Sequence, residues 1–443
     1  MALAQGSGEL IWWPYLVAKY GLGFLFLLLP ASFLQWPLSY EIGRYTMLTG
    51  ESIWQGFMRL HAWFAFPLWI LMLASFLWFG AFASAGGTAL AQLTGFPTSL
   101  GTEGRTLFWG YASIAVFFVA LMTSRHLYRF IERFMLVVAL VTLLGLIFAC
   151  THASVVAQIP TFLAGVFWPQ TATRLWDPKD TSSLLTAITF VGLGGFWILF
   201  YSYWLKEKGV GMARVASDTP EEAVAPLGSA PAVGWVPENA GDSPQRLRTW
   251  KRFLFVDSGI GLVGNLATTL MACLLAFALL TPKGLVPEGW DIATVQSEFF
   301  ALRWGAVGKA LFLVVAAAFL GDTWLSTADA VSRVNTDILL NFFQRPRKRS
   351  ATWWYRFFLC LLTAITCATM PLAQPGPLIV LSAVIGFVGT VTFSIALLFL
   401  NYIVLPKQLP GFAKPGRLPM MLLSLSCVTY VVLAAAYLWL KLR

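Results

Sequence analysis

Charge is what this chain has least of. Only 11% of its 443 residues are Asp, Glu, Lys or Arg, where a soluble globular chain carries about 25%. That shortage excludes a water-soluble fold. Cysteine is nearly absent as well: Cys150, Cys273, Cys360, Cys367 and Cys427 all lie in apolar runs without CxxC spacing, which excludes a disulfide framework and a thiolate metal cage. The three histidines, His61, His126 and His152, form no pair with metal-ligand spacing. His61 and His126 read as solvated turn residues, and His152 as a weak proton-relay candidate. No nucleophile–base set and no phosphate-cradling loop is present, so neither an enzyme nor a cofactor is expected. The N-terminus lacks the basic stretch and uninterrupted apolar core of a cleavable signal.

What fills the chain is apolar residues, 58% of the total, with a mean hydropathy of +0.73. They come in runs long enough to cross a bilayer, which makes this an all-α polytopic membrane protein with the lipid bilayer as its first partner. Eleven hydrophobic segments are expected, at about 2–19, 22–45, 62–92, 106–124, 134–154, 182–205, 252–281, 300–341, 353–373, 377–404 and 419–440. Residues 206–250, rich in proline and glycine, read as a flexible cytoplasmic loop. It divides the chain into 1–205, holding the first half and helix 6, and 251–443, holding helices 7–11.

The net charge of +10 does not indicate nucleic acid, because its basic residues cluster between apolar runs: Arg125, Arg129 and Arg133, then Arg345, Arg347, Lys348 and Arg349. With the N-terminus cytoplasmic, most of the Lys and Arg residues fall on the inner side. The expected location is the cytoplasmic membrane, N-terminus inside. Spans 1–5 and 6–10 then run in opposite senses, a 5+5 inverted repeat.

Each half opens on a glycine break. Gly6-Ser7-Gly8-Glu9 precedes Trp12, Trp13 and Tyr15; Gly192-Leu193-Gly194-Gly195 precedes Trp197, Tyr201, Tyr203 and Trp204. Glycine disfavours helix and leaves backbone groups uncovered, which hydrocarbon tolerates only where protein or a cavity surrounds them. Glycine pairs also serve as packing devices in membrane helices. Matching breaks in two halves, however, are the pattern of a transporter's midplane substrate site. The candidate substrate-binding residues are Gly6, Ser7, Gly8, Glu9, Gly192, Gly194, Gly195 and Trp197, with Glu9 as the candidate metal ligand.

In the eighth span, Asp322, Asp329, Arg333 and Asp337 share roughly one helix face. Asp322, Asp329 and Arg333 are proton or ion pathway candidates, with Asp329 and Arg333 also spaced to pair. Glu41 and Arg44 read as an interfacial pair, and Asn265 and Asn401 as bonds across helices.

The stretch from Gly6 to Gly50 resembles the Nramp family of proton-coupled divalent metal transporters, and more closely its divergent Nramp-related branch. The resemblance rests on the broken first helix, Ala18-Lys19-Tyr20-Gly21, and a second helix closing on Arg44-Tyr45 and Thr49-Gly50-Glu51. The eleven-span layout extends it over nearly the whole chain. It implies a LeuT-like architecture with helices 1 and 6 broken. The family's Asp-Pro-Gly-Asn metal motif falls on Gly6-Ser7-Gly8-Glu9, and its Met-Pro-His on Gly194, Gly195 and Phe196, so neither is preserved. The family also carries a half-helix before its first break, whereas only Met1–Gln5 precede this one, which implies either a start further upstream or a first helix without the cytoplasmic half of its gate.

Without thioether or imidazole the remaining oxygen donors suit a hard or partly hydrated cation. The expected function is a secondary active transporter moving a small divalent metal cation by alternating access, with H⁺ coupling through Glu9 or Asp322. An organic solute lined by Trp12, Tyr15 and Trp197, or a non-transporting degenerate paralogue, are the alternatives.

Overall fold

The computed structural model describes residues 11–123, 127–217, 243–291, 294–342 and 349–442. Gly6, Ser7, Gly8 and Glu9 lie outside the described residues, as does His126.

The chain opens with α1 (Trp13–Tyr20), which carries Pro14 in its first turn and stops at Gly21. α2 (Leu28–Thr49) ends on Gly50 in the left-handed region. α3 (Ile53–Leu60) begins with a capping box between Ser52 and Gln55, which satisfies two otherwise orphaned backbone amides. The run read as one span at 62–92 is two helices, α4 (Ala62–Phe76) and α5 (Gly80–Thr94). The join sits where Gly80 backs onto α15 (Ala351–Thr369): a Cβ there would stand 2.7 Å from the Thr366 carbonyl oxygen.

α6 (Thr102–Thr123) and α7 (Leu127–Cys150) follow. The stretch after them holds the short helices α8 (Ala153–Val156) and α9 (Ile159–Phe167). The sixth span is broken into α10 (Thr181–Thr189) and α11 (Trp197–Glu207). A short α12 (Met212–Ser217) then precedes α13 (Ser243–Leu275), which begins earlier than its apolar run. α14 (Glu298–Phe342) is the longest, with a kink at Gly305. After α15 come α16 (Pro375–Phe399) and α17 (Arg417–Leu442).

Every described element is helical, and eight helical spans are long and apolar enough to cross a membrane. α1, α2 and the α10–α11 pair are not among them. α10 and α11 are only nine and eleven residues long, and α2 carries Gln35, Pro37, Glu41 and Arg44.

α5, α6, α14 and α15 pack as one group, while α2 packs against α11, α13 and α17. Many large apolar side chains on the outer helices remain exposed, for example Val116, Val119, Leu144 and Val428. An aqueous protein would bury them; a lipid-facing one has no reason to.

Glu41 and Arg44 do pair, at 2.7 Å, yet the pair is buried rather than interfacial. Asn401, just past the end of α16, donates to the Glu41 carboxylate at 2.8 Å, and the Tyr402 hydroxyl does so at the same distance. Polar groups from two distant segments thus converge on the Glu41 carboxylate, which is how a charge survives inside protein, although Arg44 Nη1 and Asn401 Oδ1 are left without a hydrogen-bond partner.

Candidate functional site

The break between α10 and α11 is built by glycine because nothing else fits. Gly192 has φ +87° and Gly195 φ +62°, a region that side-chain-bearing residues rarely enter. At Gly194 the obstacle is steric: a Cβ would lie 1.4 Å from the Thr189 carbonyl oxygen. Gly195 rests against the backbone of Gly386 in α16, and Phe196 is fully buried against Phe393 and Gly389. The position the resemblance assigns to a histidine is therefore a packing residue.

Gln35 of α2 holds the break from one side. Its side-chain nitrogen donates to the carbonyls of Ile188 (3.2 Å) and Thr189 (2.9 Å), two of the orphan acceptors at the end of α10. Its own carbonyl oxygen is buried and has no hydrogen-bond partner.

Trp197 begins α11. Its indole nitrogen donates to the Thr327 hydroxyl of α14 at 2.7 Å, and its ring meets Phe76, Phe79, Phe82 and Phe190. Beside it lies a cavity of about 50 Å³ whose lining includes Gly192, Gly194, Trp197, Asp322, Ser326 and Thr327. Asp322 is only 8% exposed, and its Oδ1 has no hydrogen-bond partner. A carboxylate oxygen left bare in an apolar interior is costly. Such a site calls for a cation, a proton or water.

The polar stripe on α14 divides by neighbour. Asp329 binds Arg333 at 2.9 Å and accepts from the Tyr355 hydroxyl at 2.8 Å, while Arg333 also pairs with Glu207 of α11. Asp337 accepts from Ser52 and Tyr203, each at 2.7 Å. Asp322 alone of these carboxylates reaches the cavity at the break.

At the opposite end of the bundle, Asp180 closes α1 against α10. It accepts from the Tyr15 hydroxyl (2.7 Å) and the Tyr20 hydroxyl (2.6 Å), and pairs with Lys19 at 2.9 Å. Lys19 also reaches Glu288, at 3.3 Å. Burial works against the Asp180 charge, but the hydrogen bonds from Tyr20, Lys19 and Tyr15 outweigh it and hold the carboxyl below its ordinary pKa. Tyr15 and Trp12 line neither cavity described here.

A second cavity, about 440 Å³, lies between α2, α7, α11 and α13 and shares Met135, Gly192, Leu193 and Trp204 with the first. Asp257 and Gln35 face it, and sequence reasoning passed over both. Asp257 carried the available signal, an ionisable residue inside an apolar run; Gln35 carried none. Among the described residues no three His, Cys, Asp or Glu side chains come together as a metal site.

A helix broken at mid-span by glycine, with a cavity at the break and membrane-spanning helices around it, defines a polytopic membrane transporter. The chain belongs to the Nramp family: the family model described as natural resistance-associated macrophage protein-like matches residues 17–440. Solved structures share the fold at low identity. A manganese transporter from Eremococcus coleocola is 16% identical, with a TM-score of 0.61 over 98% of this chain and 85% of that one. MhsT, solved in complex with L-phenylalanine, is 15% identical with a TM-score of 0.59, covering 98% and 96%. Mhp1, a nucleobase-cation-symport-1 family transporter, is 12% identical with a TM-score of 0.57, covering 99% and 90%. No curated protein sequence matches the chain significantly.

Proposed function

We propose that this transporter moves a small, hard divalent cation across the cytoplasmic membrane by alternating access. The observation that carries the reading is Asp322: a buried carboxylate with one unpartnered oxygen, in a small cavity at the glycine break. Its polar lining is mostly oxygen, from the hydroxyls of Thr323, Ser326 and Thr327 and the backbone of Gly192 and Gly194, with the Met135 thioether the one soft donor among the lining residues. Such a set favours magnesium, calcium or manganese over softer metals. The carboxyl end of α10 points its partial negative charge to the same place.

Glu9, outside the described residues, would bring a second carboxylate from the first helix, and Asp322 is also the group suited to carry a coupling proton. With the N-terminus placed inside by the basic residues, the Lys19–Asp180 cluster closes the outer face. The 440 Å³ cavity then leads inward, as in an inward-facing state. The relationship to a manganese transporter agrees with this cargo.

Uptake of Mg²⁺, Mn²⁺ and Ca²⁺ into liposomes holding the purified protein tests the reading. Asp322→Asn and Glu9→Gln should each reduce uptake at least tenfold with the fold intact. Uptake indifferent to both substitutions would overturn the site. A second reading, an organic solute, draws on the volume of the larger cavity and on the L-phenylalanine bound to MhsT. It gains if no cation is taken up and an amino acid is.

A further inference from the structure

The two cavities differ ninefold in size and share a wall. One water needs about 10–15 Å³ of cavity space, so a cation with six waters needs roughly 60–90 Å³. The larger cavity, about 440 Å³, accommodates that assembly and the smaller one, about 50 Å³, does not. A cation passing between them must exchange part of its water for protein oxygens.

The larger cavity also carries the groups that would hold the hydrated ion. Asp257 faces it from α13 with one oxygen, Oδ2, accepting from Tyr201 at 2.7 Å. Gln35 faces it from α2, 6% exposed, with its side-chain nitrogen committed to Ile188 and Thr189 and its Oε1 buried and unpartnered. That oxygen would stand 3.4 Å from a Cβ at Gly192, so it looks toward the shared wall. An amide fixed in this way can only accept, and a buried acceptor at a cavity that a carboxylate also lines is matched by a cation or its waters. The remaining charged groups lining the cavity are Arg133 and Lys208, both exposed, which places them at the mouth.

We infer that Asp257 and Gln35 form a second cation station, where the transported ion is held hydrated between the Asp322 cavity and the face carrying Lys208. This rests on the cation reading above, and the test separates the two. Mn²⁺ binding to the detergent-purified full chain, followed by electron paramagnetic resonance, should give two ions per chain. Asp257→Asn, which keeps a partner for Tyr201, should reduce this to one and raise the half-saturating Mn²⁺ concentration for uptake at least tenfold. Gln35→Leu, tested alongside in case Asp257→Asn does not fold, should weaken the second ion and leave the first. Two ions unaffected by either change, or a single ion that Asp322→Asn alone removes, would overturn the station while sparing the cation reading. No bound Mn²⁺ in the unaltered protein would overturn both. L-Phenylalanine binding that Asp257→Asn abolishes would reassign the cavity to an organic solute and also overturn the station.

Discussion

Lys19 and Asp180, 161 positions apart in sequence, stand 2.9 Å from each other and fasten the end of α1 to the start of α10. Two tyrosines on α1 donate to the same carboxylate. The pair is partly exposed, and an isolated surface ion pair contributes about 0–1 kcal/mol; three donors on one buried carboxylate contribute more. Asp180→Asn should lower the melting temperature in detergent by a few degrees, and Glu288→Gln, which touches only the exposed second contact, should not. A cysteine replacing Val17 should label faster from the face that the cluster covers in the Asp180→Asn background. Equal labelling in both backgrounds would show that the cluster does not close that face.

The same carboxylate fixes a pH dependence. Its pKa lies below the ordinary value of 3.8, so its contribution is complete above that value and is lost as pH falls through the lowered one. The difference in melting temperature between the unaltered protein and Asp180→Asn should therefore be constant from pH 8 to about pH 5. It should vanish only in stronger acid. A difference that already shrinks between pH 7 and pH 6 would contradict the assignment.

Glu41 and Arg44 make a harder test of burial. Removing one partner from a buried ion pair costs about 3–5 kcal/mol, because the other is left uncompensated. Glu41→Leu should abolish monodisperse protein on fluorescence-detected size exclusion. Glu41→Gln, which keeps an acceptor for Asn401 and Tyr402, should retain part of the yield.

Gly194→Ala should destroy folding or transport, since its Cβ would enter the Thr189 carbonyl. Gly259→Ala on α13, where a Cβ meets nothing within 4 Å, is the matched control and should behave as unaltered protein. Melting temperature and yield read both.

Trp197→Phe should keep the aromatic packing and lose the bond to Thr327. If that bond positions α11 against α14 during transport, uptake rate falls several-fold with little change in melting temperature. An unaltered rate would leave Trp197 as packing alone.

How much of this was legible in the sequence depends on range. The spans were readable because lipid demands runs of about twenty apolar residues, and the break at Gly192–Gly195 because glycine at mid-span is locally anomalous. Glu41 and Arg44 announced their pairing by spacing. Their burial did not show, since it is made by Asn401 and Tyr402 some 360 positions away. The join between α4 and α5 was hidden for the same reason: Gly80 is shaped by Thr366 of α15. Asp180 carried no local signal, because the Tyr15 and Tyr20 hydroxyls that converge on it lie 165 and 160 positions away. Gln35 is the extreme case, a neutral residue in an apolar run whose meaning lies entirely in two carbonyls of another helix.

The 1.4 Å between Thr189 and an imagined Cβ on Gly194 reaches beyond stability. It bears on the position that the resemblance assigns to the family's sulfur ligand. No single substitution at that position can restore a thioether, because the backbone now occupies the space in which the side chain would begin. A soft donor at this cavity comes instead from α7, whose Met135 lines it from the other side of the break.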